Sequence, residues 1–229
     1  MYVVVVDGGA TGVPNASTEA LIAVVEAIAD GNSWTVEHRN RTTGSTDMTG
    51  VDVLWVPDAN GQTDLDRWVG LDVPTMWSHE KNRDWTSPAV DEDYATGWWS
   101  EFTEFESYGQ STGHPVLTDL GWTTTLDGSG MPDSGLHTLM TQEFWHFSYL
   151  PAQLGSGAMP VLRFYPDATY TEATSFVTAA AYDDGAAMAN GTTAQNRRVL
   201  FGLNRFSHDK ISSEGDDFIA ASLRWLANA

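Results

Sequence analysis

The stretch Tyr2-Val3-Val4-Val5-Val6-Asp7-Gly8-Gly9 is a run of β-branched residues without polar alternation, ending in an acid and two glycines. A strand that is apolar on both faces belongs inside a parallel sheet covered on both sides, and the glycines mark the turn that leaves it. Such a sheet needs crossover helices, and one follows. After Pro14 and Asn15, the residues Ala20, Leu21, Val24, Val25 and Ile28 recur at helical spacing, with Gly31 placed just past the expected end. Strands are then expected over 34–37 and 51–56, a helix over 63–69, and a strand over 73–77. Alternation of strand and helix is the rhythm of an α/β sheet with helices on both faces.

From about 82 to 157 the pattern weakens into glycines and aromatics, which reads as an irregular, aromatic-rich insertion within a single α/β domain spanning 1–229. Regular structure resumes with strands over 160–165, 175–182 and 198–203. A last helix starts after Ser213, which forms a capping pair with Asp216, and it buries Phe218, Ile219, Leu223 and Leu226. The core is thus drawn from both ends of the chain.

The 229 residues include 41% hydrophobic and 11% aromatic side chains, a composition that folds rather than stays disordered. Charge is the unusual quantity. Lys+Arg 11 against Asp+Glu 31 gives a net charge of -20, so the chain has no basic footprint for nucleic acid. Only Lys81 and Lys210 are lysine, and Asp outnumbers Glu by 20 to 11. This make-up resembles that of proteins from extreme halophiles, and it implies a chain that works in brine, in the cytoplasm of a halophilic archaeon or in a virion in hypersaline medium. No secretory signal is visible, and no run approaches the ~18 apolar residues of a membrane span, so membrane insertion is not expected. Cysteine is absent, which removes disulfides and thiolate chemistry.

The order of motifs resembles the class I glutamine-amidotransferase-like fold and, within it, the trehalose-utilisation (ThuA-like) branch. Residues 3–9 look like its first strand and turn, and Gly50-Val51-Asp52-Val53-Leu54-Trp55-Val56 like its third strand. Gly113-His114-Pro115-Val116 is similar to its His-Pro segment, and Arg198 to Leu203, followed by Phe206-Ser207-His208-Asp209, looks like its closing strand and histidine turn. The resemblance implies a mainly parallel, flavodoxin-like sheet. In enzymes of this fold a cysteine nucleophile sits on a glycine-flanked turn, served by a histidine and an orienting carboxylate. The matching position here is Ser78 in Met76-Trp77-Ser78-His79-Glu80, with His208 as base and Asp209 or Glu80 as orienter. Trp77 and His79 replace the small neighbours that such a turn requires.

Two further chemistries are open. His79 and His114, with Glu80, His208 and Asp209, are candidates to converge on a divalent metal at the carboxyl ends of the strands, although no cofactor is required by any motif. Trp98, Trp99, Trp122 and Trp145, in or beside the insertion, are candidates for binding a protein partner or a sugar ring. Trp98 and Trp99 are adjacent, so in a strand they face opposite ways.

The leading expectation is therefore a non-catalytic amidotransferase-like domain, a structural or recognition component of a haloarchaeal assembly such as a virus particle, binding protein partners or copies of itself. The alternative is a ThuA-like hydrolase or carbohydrate-processing enzyme. The charge makes the first prediction. Between about 3 M and 0.1 M salt the Debye length grows from under about 3 Å to about 10 Å, so self-repulsion rises. Circular dichroism should show the fold lost on desalting; full structure at low salt would contradict it.

Overall fold

A computed structural model describes residues 1–7, 16–57, 66–78, 98–102, 104–107, 113–123, 125–126, 132–141, 144–148, 154–164, 176–189, 191–202 and 208–228. Strand β1 (Tyr2–Asp7) leads to helix α1 (Ala16–Asn32), then β2 (Thr35–Asn40), β3 (Val53–Pro57), the single turn α2 (Asp66–Val69) and β4 (Thr75–Ser78). The middle of the chain contributes β5 (Trp98–Phe102), β6 (Glu104–Ser107), α3 (Pro115–Leu120), β7 (Thr125–Leu126), β8 (Pro132–Ser134), β9 (Leu136–Thr138) and β10 (Phe144–Ser148). It closes with β11 (Met159–Phe164), β12 (Phe176–Tyr182), β13 (Arg198–Phe201) and α4 (Ser213–Ala227).

Among the described residues, nine strands share one sheet in the order β2-β1-β3-β4-β13-β12-β11-β6-β9. The first five are parallel, with Val3 opposite both Val36 and Val53, and Ser78 opposite both Pro57 and Phe201. From β13 outward the pairing turns antiparallel. The order of the parallel half is that of flavodoxin-like sheets, in which ligands bind beyond the carboxyl ends of the strands.

The all-valine reading of β1 holds because both of its faces are covered. Val3 and Val5 enter one core with Val25 and Ile28 of α1, Leu117 of α3, and Phe218, Leu223 and Leu226 of α4. Val4 and Val6 enter a second core on the other face, with Leu54, Val56, Trp68 of α2, Trp77 and Tyr182. Each large side chain fully buried in this way stabilises by roughly 1.5–3 kcal/mol.

Three expectations change. Helix α1 runs on through Gly31 to Asn32, because burial of Val25, Ile28 and Ala29 outweighs one poor helix former. The cap of α4 is Ser212, one residue earlier than expected, its Oγ accepting the Gly215 N–H at 3.1 Å. The stretch 82–157 is not simply irregular: β6 and β9 extend the main sheet, while β5 and β10 pair with each other and β10 packs on β12. In that stretch short elements replace long periodic ones, which is why no period is visible. Helix α3 ends at Gly121, whose φ of 67° is the left-handed conformation that glycine adopts without a steric penalty.

Helix α4 covers the β9 edge of the sheet. The Thr138 N–H donates to Glu214 Oε2 at 2.7 Å, and the Thr138 carbonyl accepts from the Ser212 hydroxyl. This occupies main-chain groups that would otherwise offer an open edge. Gly215 makes the approach feasible, since a Cβ there would lie 2.5 Å from the Leu139 carbonyl oxygen and 2.6 Å from Ile211 Cγ2. Replacing glycine by alanine inside a helix ordinarily gains up to about 1 kcal/mol. Here Gly215→Ala should instead lose about 1–3 kcal/mol through the clash, lowering the melting temperature by about 2–4 °C for each kcal/mol. An unchanged or higher melting point in a thermal scan would contradict this docking.

Candidate functional site

The carboxyl ends of the parallel strands are Asp7, Asn40, Pro57, Ser78 and Phe201. Of the residues expected to form a site there, Ser78 is fully described. It is the last residue of β4, in regular register with neighbours on both sides, and completely buried. Its Oγ accepts the indole N–H of Trp55 at 2.8 Å. Trp55 and Ser78 face the same core because they stand on adjacent strands at like positions of the pleat. An indole nitrogen can only donate, so a buried Trp55 needs an acceptor, and Ser78 supplies it.

This is a different environment from a nucleophile elbow, where the serine stands exposed on a strained strand-to-helix turn. Among the described residues the non-glycine positions with positive φ are Ser33 and Asn196; Ser78 is not one of them. Trp77 does not crowd Ser78 either. It points into the opposite core, with the Arg198 guanidinium 5.8 Å from its ring.

The candidate partners of Ser78 separate. His79 and Glu80 lie outside the described residues. His208 begins a short 3-10 turn, His208–Lys210, that packs against α1; its side chain is outside the description. Asp209 is exposed and paired with the Lys210 ammonium. His114 stands at the opposite end of the sheet from Ser78, beside the groove that Pro115, Arg197 and Trp225 line; its expected convergence with His79 falls outside the described residues. It caps α3, with Nδ1 accepting the Val116 N–H at 3.3 Å, and its ring lies 4.9 Å from that of Trp225 near the end of α4. Among the described residues, no group of three or more His, Asp or Glu side chains could hold a metal ion.

The tryptophans divide likewise. Trp122 is 9% exposed and stacks on His137 at 3.8 Å, with Phe218 beyond it at 6.1 Å, so it is a core residue rather than a free binding surface. Trp98, Trp99 and Trp145 lie on the β5–β10 ribbon, opposite Ser148, Phe147 and Glu101 respectively; their side chains are outside the description.

Sequence reasoning missed a histidine–carboxylate pair. His137 Nδ1 lies 3.2 Å from Glu214 Oε1, on the same side of the sheet as Ser78. His137 stacks on Trp122, whose ring meets Phe218, which in turn meets Phe201; the partner of the Ser78 hydroxyl is the Trp55 indole. The His137–Glu214 pairing joins residues 77 positions apart, and no local spacing announces it.

No family profile matches the chain, and neither does any curated protein. What the fold and the strand order define is an α/β protein of the flavodoxin-like class. Its backbone is similar to the crystal structure of a ThuA-like protein from Bacteroides uniformis, with a TM-score of 0.54 over 98% of this chain and 90% of that one. The sequences are 10% identical, so the likeness shows the fold alone, and the fold is ThuA-like.

Burial also sets an acid-sensitive group. Burial depresses the His114 imidazole from its ordinary 6.5 to about 4. As pH falls from 6.5 towards 4 the unfolded chain takes up a proton that the folded chain refuses, so stability present above pH 6.5 is lost, on the order of 3 kcal/mol across the window. Asp216 acts oppositely: burial, then the neighbouring Asp217, raises its carboxyl from 3.8 to about 6, so its contribution grows as pH falls from 6 towards 3.8. His114→Asn keeps an acceptor for the Val116 N–H but cannot titrate. Urea unfolding from pH 7 to 4 should show a shallower acid loss in His114→Asn and a steeper one in Asp216→Asn; parallel curves for all three proteins would refute the assignment.

Proposed function

We propose that the chain is a non-catalytic amidotransferase-like domain, serving as a structural or recognition component of a protein assembly that works in brine. A tail or capsid accessory protein of a haloarchaeal virus is one concrete form of such an assembly. The observation that carries the reading is the Ser78 hydroxyl, buried in regular strand pairing and engaged by the Trp55 indole. A hydroxyl in that setting stabilises a sheet; a nucleophile must reach a carbonyl carbon and hand its proton to a base.

Two features support the remainder. The charge of -20, with two lysines in 229 residues, suits a protein surface kept hydrated in concentrated salt. The β5–β10 ribbon carries Trp98, Trp99 and Trp145, and tryptophan is the residue type that most often anchors contacts with protein partners, further copies of a chain or a sugar. The competing hydrolase reading needs Ser78 accessible beside an imidazole, or a metal held by the histidines.

A fluorophosphonate probe, which phosphonylates activated serines with loss of fluoride, tests the reading when applied to the folded protein in molar salt and followed by peptide mass spectrometry. Ser78 should stay unmodified, as in the denatured control. Stoichiometric labelling of Ser78 in the native protein alone would overturn the non-catalytic reading.

A further inference from the structure

A second candidate site lies at the opposite end of β13 from Ser78. A groove of about 380 Å³ opens between α3, the end of α4 and the residue preceding β13, lined by Pro115, Asp119, Arg197, Ala221, Arg224 and Trp225. That volume falls within the range of small-molecule pockets. Two of the chain's 11 basic residues meet here, although acids outnumber bases almost threefold.

Both guanidinium groups are fixed from behind and keep donors to spare. Arg197 gives Nη1 to the Trp225 carbonyl at 2.8 Å, holds Asp183 Oδ1 3.4 Å from Nε, and lies over the Trp225 ring at 4.9 Å. Arg224 gives Nε and Nη2 to the same oxygen, Asp119 Oδ2, at 2.8 and 2.6 Å, and Nη1 to Asn32 Oδ1 at 3.1 Å. A guanidinium carries five N–H donors, so among the described residues these bonds leave the Arg197 Nη2 amino group, one N–H on its Nη1 and one N–H on each Arg224 Nη nitrogen unspent. Such planar forks suit the oxygens of a carboxylate or phosphate.

The backbone adds an independent sign. Asn196, immediately before Arg197, has a φ of 152°, a conformation that side-chain-bearing residues seldom adopt. Its Nδ2 is tied to Asp72 Oδ1 at 2.6 Å. A strained residue held in place beside a pre-positioned arginine points to a site rather than an incidental ion pair. The Arg197 bond to the Trp225 carbonyl also offsets the negative end of the α4 dipole, which would otherwise repel an anion.

We propose that this groove binds a small molecule through its oxyanion, a carboxylate or a phosphate, held between Arg197 and Arg224 against the Pro115, Ala221 and Trp225 wall. Asp119 is the gate: it occupies Arg224 in the empty groove and must share that guanidinium with the ligand. The site does not depend on the reading of Ser78, which lies at the other end of the sheet.

The test follows the Trp225 indole N–H resonance by NMR at constant ionic strength, titrating inorganic phosphate in one arm and acetate in the other. A saturable shift is expected in at least one arm, and the arm that saturates names the oxyanion. Arg197→Gln and Arg224→Gln should each weaken binding about tenfold or more, the loss of a charge-assisted contact. Asp119→Asn should tighten it severalfold, because it removes a competing carboxylate; a purely structural ion pair would leave binding unmoved. Thermal melts confirm that each variant is folded. No saturable shift in either arm, or equal binding by the two arginine variants and the parent, would overturn the proposal.

Discussion

A sheet covered on both faces leaves no water for the polar groups inside it, and that constraint governs the rest of this structure. Strands β1, β3 and β4 are buried along both faces, so any donor among them needs a partner from within the protein. The Trp55 indole is such a donor, and Ser78 is its acceptor. The residue that occupies the nucleophile position of the resembled enzymes is here the buried acceptor of an indole N–H.

Other buried polar groups answer the same demand. The Tyr182 hydroxyl accepts the Gly155 N–H at 3.1 Å, and burial holds its phenol protonated, up to about 12. The Thr75 hydroxyl donates to the Val73 carbonyl at 2.7 Å. Arg198, almost fully buried, spends its guanidinium on the carbonyls of Val73, Leu71 and Arg197 and so ties the start of β13 to the segment before β4. Burial lowers its pKa to about 10, which leaves it charged at neutral pH. Arg198 thus stabilises local main chain, whereas Arg197 and Arg224 line the groove at the same end of β13.

How much was legible in the sequence depended on whether the signal was local. The valine run of β1, the i, i+3, i+4 pattern of α1 and the apolar face of α4 announce themselves because burial imposes a period on the chain. Their order was enough to give a flavodoxin-like α/β sheet. The strands of the 82–157 stretch were not legible, since β6 and β9 gain their place from partners far away in sequence rather than from their own pattern. The cap of α4 was misplaced by one residue because Ser212 and Ser213 are both competent acceptors, and docking of Gly215 against Leu139 decides between them. Ser78 was singled out from a motif, which says nothing of its hydrogen-bond partner. Its bond to Trp55 joins two strands whose adjacency had first to be established, as did the stacking of Trp122 on His137 and the placing of His114 beside Trp225.

The central claim is that Ser78 holds the sheet together rather than performing chemistry, and the unfolding free energy of Ser78→Ala tests it most directly. Removing the hydroxyl leaves the Trp55 N–H buried without its acceptor, so the variant should be less stable by about 1–3 kcal/mol in denaturant titration at molar salt. A nucleophile held in a strained, function-serving setting behaves in the opposite sense, since its replacement commonly leaves stability unchanged or raises it. A Ser78→Ala protein as stable as the parent, or more so, would contradict the account.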